Sequence, residues 1–152
     1  MPIASETIRR LQGRTLATAE SLTGGMIGSN LTAVPGASKV YKGGVVSYVD
    51  EVKAHVLNVP EQFLEKYGAV SAPVAESMAR GVRRLMQTDY ALAVTGLAGP
   101  GGDDFGHEVG TVFIAVDHAK GAKIRQFRFT GDRDEVREKT VQAALIMLLE
   151  QL

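Results

Sequence analysis

The chain has 152 residues, 45% of them hydrophobic and 22% charged, which suits one folded domain with a sizeable core and excludes a disordered chain. Lysine plus arginine and aspartate plus glutamate stand at 17 each, so net charge points to neither a nucleic acid nor a membrane surface as partner. The absence of cysteine and tryptophan removes disulfides, thiolate metal sites, a cysteine nucleophile and much of any base-stacking surface. No apolar run reaches membrane-spanning length and "MPIASETIRRLQG" is too polar for a signal peptide, so the expected location is cytoplasmic.

In chain order, "SETIRRLQ" predicts a short helix capped by Ser5, with Ile8 and Leu11 on one face and a break at Gly13. "RTLATAE" predicts a first strand, and "GGMIGSNLTAV" a helix stopped by Pro35-Gly36. "YKGGVVSYV" predicts a second strand on the β propensity of Val45, Val46, Tyr48 and Val49. Asp50 then caps the helix "EVKAHVL", and "EQFLEKYG" adds a further turn or two. A longer helix starts at Ser71 and Pro73 and keeps Val74, Met78, Val82, Leu85 and Met86 on one face. "YALAVTG" is nearly all apolar, the pattern of a strand covered on both faces. "GTVFIAVDHAKGAKIRQFRFTG" predicts a hairpin around Lys120-Gly121. The last helix starts near Asp132 and repeats Val136, Thr140, Val141, Ala144, Leu145, Leu148, Leu149 and Leu152 on one side.

Strands alternating with helices predict an α/β fold: one domain over residues 1–152, three layers α/β/α, and a mixed five-stranded sheet. The sheet should be mostly parallel, with one antiparallel strand at the C-terminal hairpin. Ligands of such sheets bind beyond the carboxyl ends of the parallel strands. Three stretches fall there: "AESLTGG", "SYVDEVK" and "TGLAGPGG".

Ser21 in the first stretch, taken alone, reads first as a capping hydroxyl of the turn, although the local chemistry also resembles a nucleophile elbow. "AESLT" lacks the glycines of the G-x-S-x-G elbow. Gly24-Gly25 at a helix start permits close approach to an oxyanion or phosphate. A serine nucleophile needs a base. His55 and His118 read as solvated; His107, in the glycine-rich loop, is placed to approach, but no spacing supports a triad. Lys53 is the better candidate, because a helix N-terminus and burial both lower an amine pKa. Tyr48 is positioned to relay a proton or hold the lysine. A solvated lysine and a wet tyrosine are the plain alternative for each residue taken singly. The loop Thr95 to Gly110 is long and glycine-rich but matches neither the P-loop nor G-x-G-x-x-G in position. Asp103, Asp104, His107 and Glu108 are metal-type ligands without a regular spacing, so no metal or other cofactor is expected. Arg133 and Arg137 lie four apart at the start of the last helix, suited to a phosphate if that end faces the crevice.

Together, "TAESLTGG", "PGASKVYKGGVVSY" followed by Lys53, "GAVS", "AVTGLAGPGG" and "VGTV" resemble the C-terminal domain of CinA, the competence/damage-inducible protein, in order and over nearly the whole chain. The family also occurs as stand-alone nicotinamide-nucleotide amidohydrolases. The resemblance implies hydrolysis of the carboxamide of nicotinamide mononucleotide to nicotinic acid mononucleotide and ammonia, in pyridine nucleotide recycling, by a metal-free serine/lysine arrangement. It implies Ser21 as nucleophile, Lys53 as base and Tyr48 as its assistant. By the same resemblance Thr23, Gly24, Gly25, Ser38, Thr95, Gly96 and Gly99 fall on substrate-binding motifs, with Arg133 or Arg137 on the phosphate. A homodimer or higher oligomer is the implied assembly. Glu108 departs from the pattern, standing where a proline is usual before "VG". The family's longer members carry an N-terminal nucleotide-processing domain for which these residues leave no room. The competing reading is a nucleotide-binding module of the same fold without catalysis; a weaker one is a metal-assisted hydrolase using Asp103, Asp104 and His107.

Overall fold

The strand "YALAVTG" already holds the plan of the molecule. Leu92 and Val94 point to one side of the sheet and Ala91 and Ala93 to the other, and all four are fully buried. The computed structural model describes residues 2–152. Its elements are α1 (Pro2–Arg10), β1 (Leu16–Glu20), α2 (Met26–Thr32), β2 (Tyr41–Val46), α3 (Asp50–His55), α4 (Glu61–Tyr67), α5 (Ala72–Met86), β3 (Tyr90–Gly96), β4 (Thr111–His118), β5 (Gly121–Arg128) and α6 (Arg133–Glu150). A 3₁₀ turn at Ala37–Lys39 leads into β2.

The five strands run in the order β2-β1-β3-β4-β5. β1 is parallel to β2 and to β3, while β4 is antiparallel to both β3 and β5. The sheet is therefore mixed, with β4 alone reversed, as the α/β reading predicts. The larger side chains of the strands, Leu16, Leu92, Val94, Ile114 and Val116, pack with Ile8 of α1 and Leu11 just after it, Ile27 and Leu31 of α2, and Val136, Leu145 and Leu148 of α6. Alanines 17, 19, 91, 93 and 115 face the opposite layer, where Val74, Met78 and Val82 of α5 cover them. Small residues on the sheet let α5 lie close. At Gly81 on α5 an added Cβ would sit 2.0 Å from the Leu57 carbonyl oxygen, so only glycine fits that approach.

Several boundaries differ from the sequence reading, each for a local reason. α1 starts at Pro2, so Ser5 lies inside the helix and caps nothing. α2 starts at Met26; Gly25 is its N-cap with φ 105°, a left-handed conformation that excludes the two glycines from the helix. β2 stops at Val46, and Tyr48 lies in the following connection. Val49, not Asp50, precedes α3. Leu85 of α5 is 53% exposed rather than core. Asp132 does cap α6, in a reciprocal capping box with Glu135. The hairpin turns at Ala119 and Lys120, with His118 opposite Gly121. Among the described residues no helix is long and apolar enough to cross a membrane.

Between β1 and β3 the connections leave the sheet in opposite directions, β1 continuing to β2 on one side while β3 lies on the other. A ligand crevice belongs at the carboxyl ends of strands where such a reversal occurs. A crevice of roughly 480 Å³ opens there, lined from all three predicted loops.

Candidate active site

Ser21 follows β1 directly and shows 7% of its surface. Its N–H still bonds the Val94 carbonyl across the sheet at 3.2 Å, so the strand pairing holds the backbone up to Ser21. Gly24 and Gly25, with φ of 58° and 105°, then turn the chain into α2.

Lys53 is reached from the other side of β1. It sits on the inner face of α3, is 1% exposed, and extends its amine to Ser21 Oγ at 3.0 Å. The amine also meets the carbonyl of Ser47 at 2.6 Å and that of Tyr48 at 3.4 Å. Burial pushes the amine down from 10.5 to about 8, partly offset by the Asp50 carboxylate. A neutral amine has two protons and one lone pair. In the charged form the ammonium donates to Ser21 Oγ and to both carbonyls; once a proton is lost, the two carbonyls can hold the remaining N–H groups and leave the lone pair for the Ser21 hydroxyl. Such a contact, a serine hydroxyl against an oriented buried amine, is one that nucleophilic catalysis by serine can use.

The carboxyl-end crevice brings Ser21, Tyr48 and Lys53 together with Thr95, Gly96, Gly99 and Arg133. Thr95 donates its hydroxyl to the Ala69 carbonyl at 2.9 Å, which ties the end of β3 to the segment before α5. At Gly96 a Cβ would stand 2.6 Å from a Val112 methyl, so the glycine serves the β3–β4 contact. Arg133 bridges two loops, donating to the Gly99 carbonyl at 2.7 Å and to the Tyr48 hydroxyl at 2.9 Å.

Other expected contacts are not formed. The Tyr48 hydroxyl meets Arg133 and not Lys53 or Ser21; it is the Tyr48 carbonyl that touches the lysine. With 57% of Tyr48 exposed, its ring forms part of the crevice wall and not a proton relay. Ser38 is exposed in the 3₁₀ turn before β2, at the opposite end of that strand from Ser21. Arg137 points away from the crevice: its Nε donates to the Leu22 carbonyl at 2.9 Å and its Nη2 to that of Thr23 at 3.5 Å. Of the two arginines, Arg133 thus lines the crevice and Arg137 holds the turn.

Thr23 is neither a helix cap nor a crevice residue. Its hydroxyl donates to Glu20 Oε1 at 2.6 Å. The same carboxylate accepts the N–H groups of Gly25, Ile27 and Gly28 at 3.2, 3.0 and 3.0 Å. The start of α2 is thus already occupied by a protein anion, and the expectation that Gly24-Gly25 holds a phosphate fails for that reason. Glu20 is the buried residue behind the site that sequence reasoning passed over. The signal was present: an acidic residue ending an otherwise apolar strand, with a glycine pair four and five residues later.

The histidines stand apart from Ser21. His55 ends α3 with its side chain in solvent. His118 ends β4 against the Tyr90 ring. His107 pairs with Asp103, Nδ1 to Oδ2 at 2.7 Å, and Asp103 also accepts the N–H groups of Phe105 and His107. Among the described residues no three His, Asp or Glu side chains gather as a metal-binding group. A larger groove, about 750 Å³, lies over α4, α5 and β5, but it holds no nucleophile in contact with a base.

Comparison with known proteins agrees with this frame. A family model described as the CinA C-terminal domain matches residues 2–152. The chain is 46% identical over 141 residues to a CinA-like protein of Desulfotalea psychrophila, covering 93% of this chain and 34% of that one. A CinA-like protein of Geobacter metallireducens is likewise 46% identical, with 96% of this chain and 36% of the relative covered. The chain therefore spans about a third of the length of these curated relatives. Solved structures of closer size also match. One is a competence-damaged protein (CinA) superfamily protein of Escherichia coli, with TM-score 0.97, 37% identity and coverage of 99% and 88% of the two chains. Another is competence damage-inducible protein A of Klebsiella pneumoniae, with TM-score 0.96, 36% identity and coverage of 98% and 94%. With the fold, the order of motifs and the family match in agreement, the chain belongs to the CinA C-terminal domain family.

Proposed function

We propose that this chain is a serine–lysine amidohydrolase that removes the amide of nicotinamide mononucleotide. The observation that carries the reading is the buried 3.0 Å contact between Ser21 Oγ and Lys53 Nζ, at a crevice open to solvent. Ser21 Oγ attacks the carboxamide carbon while its proton passes to neutral Lys53. The N–H of Leu22, a residue of the crevice wall whose N–H has no partner among the described residues, is the donor for the resulting oxyanion. Lys53 then returns the proton to the amide nitrogen, the C–N bond breaks, and ammonia leaves an ester on Ser21. Water, deprotonated by Lys53, attacks that ester and releases the carboxylic acid product. The net reaction consumes one water and yields one carboxylate and one ammonium ion. Arg133, at the crevice mouth beside the exposed Tyr48 ring, is the cation for the phosphate. A cytoplasmic role in pyridine nucleotide recycling and a homo-oligomeric assembly accompany this proposal.

Ammonia release from nicotinamide mononucleotide by pure protein is the test. Wild-type protein should release it and Ser21→Ala should not. Tight binding of the nucleotide with no release by wild-type protein would establish the binding-module reading instead.

A further inference from the structure

We propose that Glu20 is a positioning residue for the Ser21–Lys53 pair, holding both members in register from the far side of the sheet. The inference rests on the amidohydrolase reading for its role in catalysis, but its geometry is independent of the substrate.

Glu20 is 2% exposed. Strand alternation puts its side chain with Leu16 on the α1–α2–α6 face, whereas Ser21 follows Ala17 and Ala19 toward the α3–α5 face. The carboxylate therefore cannot touch a substrate at Ser21. It accepts four hydrogen bonds, all from residues 23 to 28, and so fixes the exit of the turn that carries Ser21. The Glu20 carbonyl acts on the other partner. It accepts the Ser47 N–H at 2.8 Å and the Ser47 hydroxyl at 3.4 Å. The Ser47 carbonyl in turn takes the Lys53 amine at 2.6 Å. One residue thus anchors the loop of the nucleophile by its side chain and the loop of the base by its backbone.

A plain helix cap is too small a role for this group. α2 has seven residues, and one serine or aspartate hydroxyl or carboxyl at its start is the usual solution. A buried carboxylate is a costly substitute unless every lone pair is used. Here the surroundings are built to use them: at Gly28 a Cβ would stand 3.6 Å from Glu20 Oε2 and 2.7 Å from the Tyr41 hydroxyl. From the other side Arg137 holds the Leu22 and Thr23 carbonyls, so the turn is gripped by its donors and its acceptors at once. A Gln at position 20 would keep the shape but turn an NH₂ toward backbone N–H donors, letting the turn shift.

The test compares wild type, Glu20→Gln, Glu20→Asp, Thr23→Val and Ser21→Ala at a temperature where circular dichroism shows each folded. Two readouts are taken: steady-state ammonia release from nicotinamide mononucleotide, and the rate at which a fluorophosphonate labels Ser21. Glu20→Gln should lower kcat by about 10²-fold, the usual cost of a misplacement near 1 Å, with KM unchanged and labelling slowed in parallel. Glu20→Asp, which keeps the charge but shortens the reach, should not rescue either readout. If Glu20→Gln does not fold, Thr23→Val carries the test, with a smaller loss in the same direction. A folded Glu20→Gln protein with a lower Tm but wild-type kcat and labelling would overturn the proposal, as would wild-type labelling of Thr23→Val. Wild-type protein that is labelled in a Glu20-dependent way but releases no ammonia refutes the amidohydrolase reading and leaves the positioning role standing. Wild-type protein that is not labelled at Ser21 overturns the positioning role.

Discussion

Two glycine-bearing segments meet at the same edge of the sheet, and they are built on opposite principles. In the turn from Ser21 to Gly25, Ser21, Leu22 and Thr23 are buried, and the turn is held by a buried carboxylate on one side and Arg137 on the other. The loop from Leu97 to Gly110 is anchored at its two ends by paired backbone bonds, is mostly exposed beyond Gly99, and organises its tip through the Asp103–His107 clasp. Beyond the packing of Leu97 and Ala98 into the core, its outward contacts include Arg133 on the Gly99 carbonyl, Arg128 on that of Val109, the Arg128–Glu108 ion pair and the His107 ring against that of Phe113. Burial makes polar contacts strong and their loss expensive, whereas exposed ones exchange with water at small cost. The short turn is thus fixed from both faces, whereas the long loop is held mainly at its ends.

This contrast is breakable by mutation. The largest effect is expected at Lys53, which the short turn faces. Lys53→Met should lower kcat/KM by about 10²–10⁴-fold, the range for loss of a general base, as measured by ammonia release. The same residue sets the pH dependence. In wild type kcat/KM should climb with pH through about 8, as the lysine deprotonates, and then level off. Its folded pKa is lowered, so below about 8 the amine is charged in both folded and unfolded states and the cost of burying it is fully present. Between about 8 and 10.5 the unfolded chain holds a proton that the folded chain has released, and stability from this group rises with pH. Urea unfolding at pH 7.5 and 9.5 should show that rise in wild type and lose it in Lys53→Met.

Arg133→Ala comes next. It should raise KM roughly 10- to 100-fold, the worth of a charge-assisted hydrogen bond, with a smaller change in kcat. Arg137→Ala should do the reverse, lowering Tm by loss of about 1–2 kcal/mol with its effect on kcat exceeding that on KM. If the two arginines exchanged these phenotypes, the division between crevice and turn would be wrong. The smallest effect is expected in the long loop. Burial opposes ionisation of Asp103, but hydrogen bonds from His107 and Phe105 outweigh it and hold the carboxyl below its usual range. The stability it adds is present above the unfolded pKa of 3.8 and lost as pH falls through the lower folded value. Asp103→Asn should cost under about 1 kcal/mol at neutral pH, read by thermal melting, and leave kcat unchanged.

Much of the frame was legible from local pattern. "YALAVTG" became β3 without a change of boundary, because a run of apolar residues between breakers has one good use in a covered sheet. Asp132 and the repeat from Val136 to Leu148 predicted α6, since capping chemistry and a 3.6-residue period act over a single helix. The errors lie where two local signals compete. Ser5 has the residue type of a cap, yet it lies within a helix that begins earlier; Thr23 falls on a substrate-binding motif, yet its hydroxyl is drawn to a carboxylate three residues back. Ser38 belongs to a motif that falls in order with the site but is carried by β2 to the other end of the sheet.

By itself, then, the amino-acid order determined the layers, the reversed strand and the convergence of three loops on one edge, because periodicity, turn residues and strand alternation are properties of neighbours along the chain. Tertiary structure alone decided that Lys53 reaches Ser21 across 32 positions, that Arg133 faces the crevice while Arg137 grips the turn 115 positions away, and that Glu20 takes the helix start in place of a phosphate. Those outcomes depend on which side chains packing brings within about 3 Å, the reach of a hydrogen bond, and no spacing along the sequence encodes that distance.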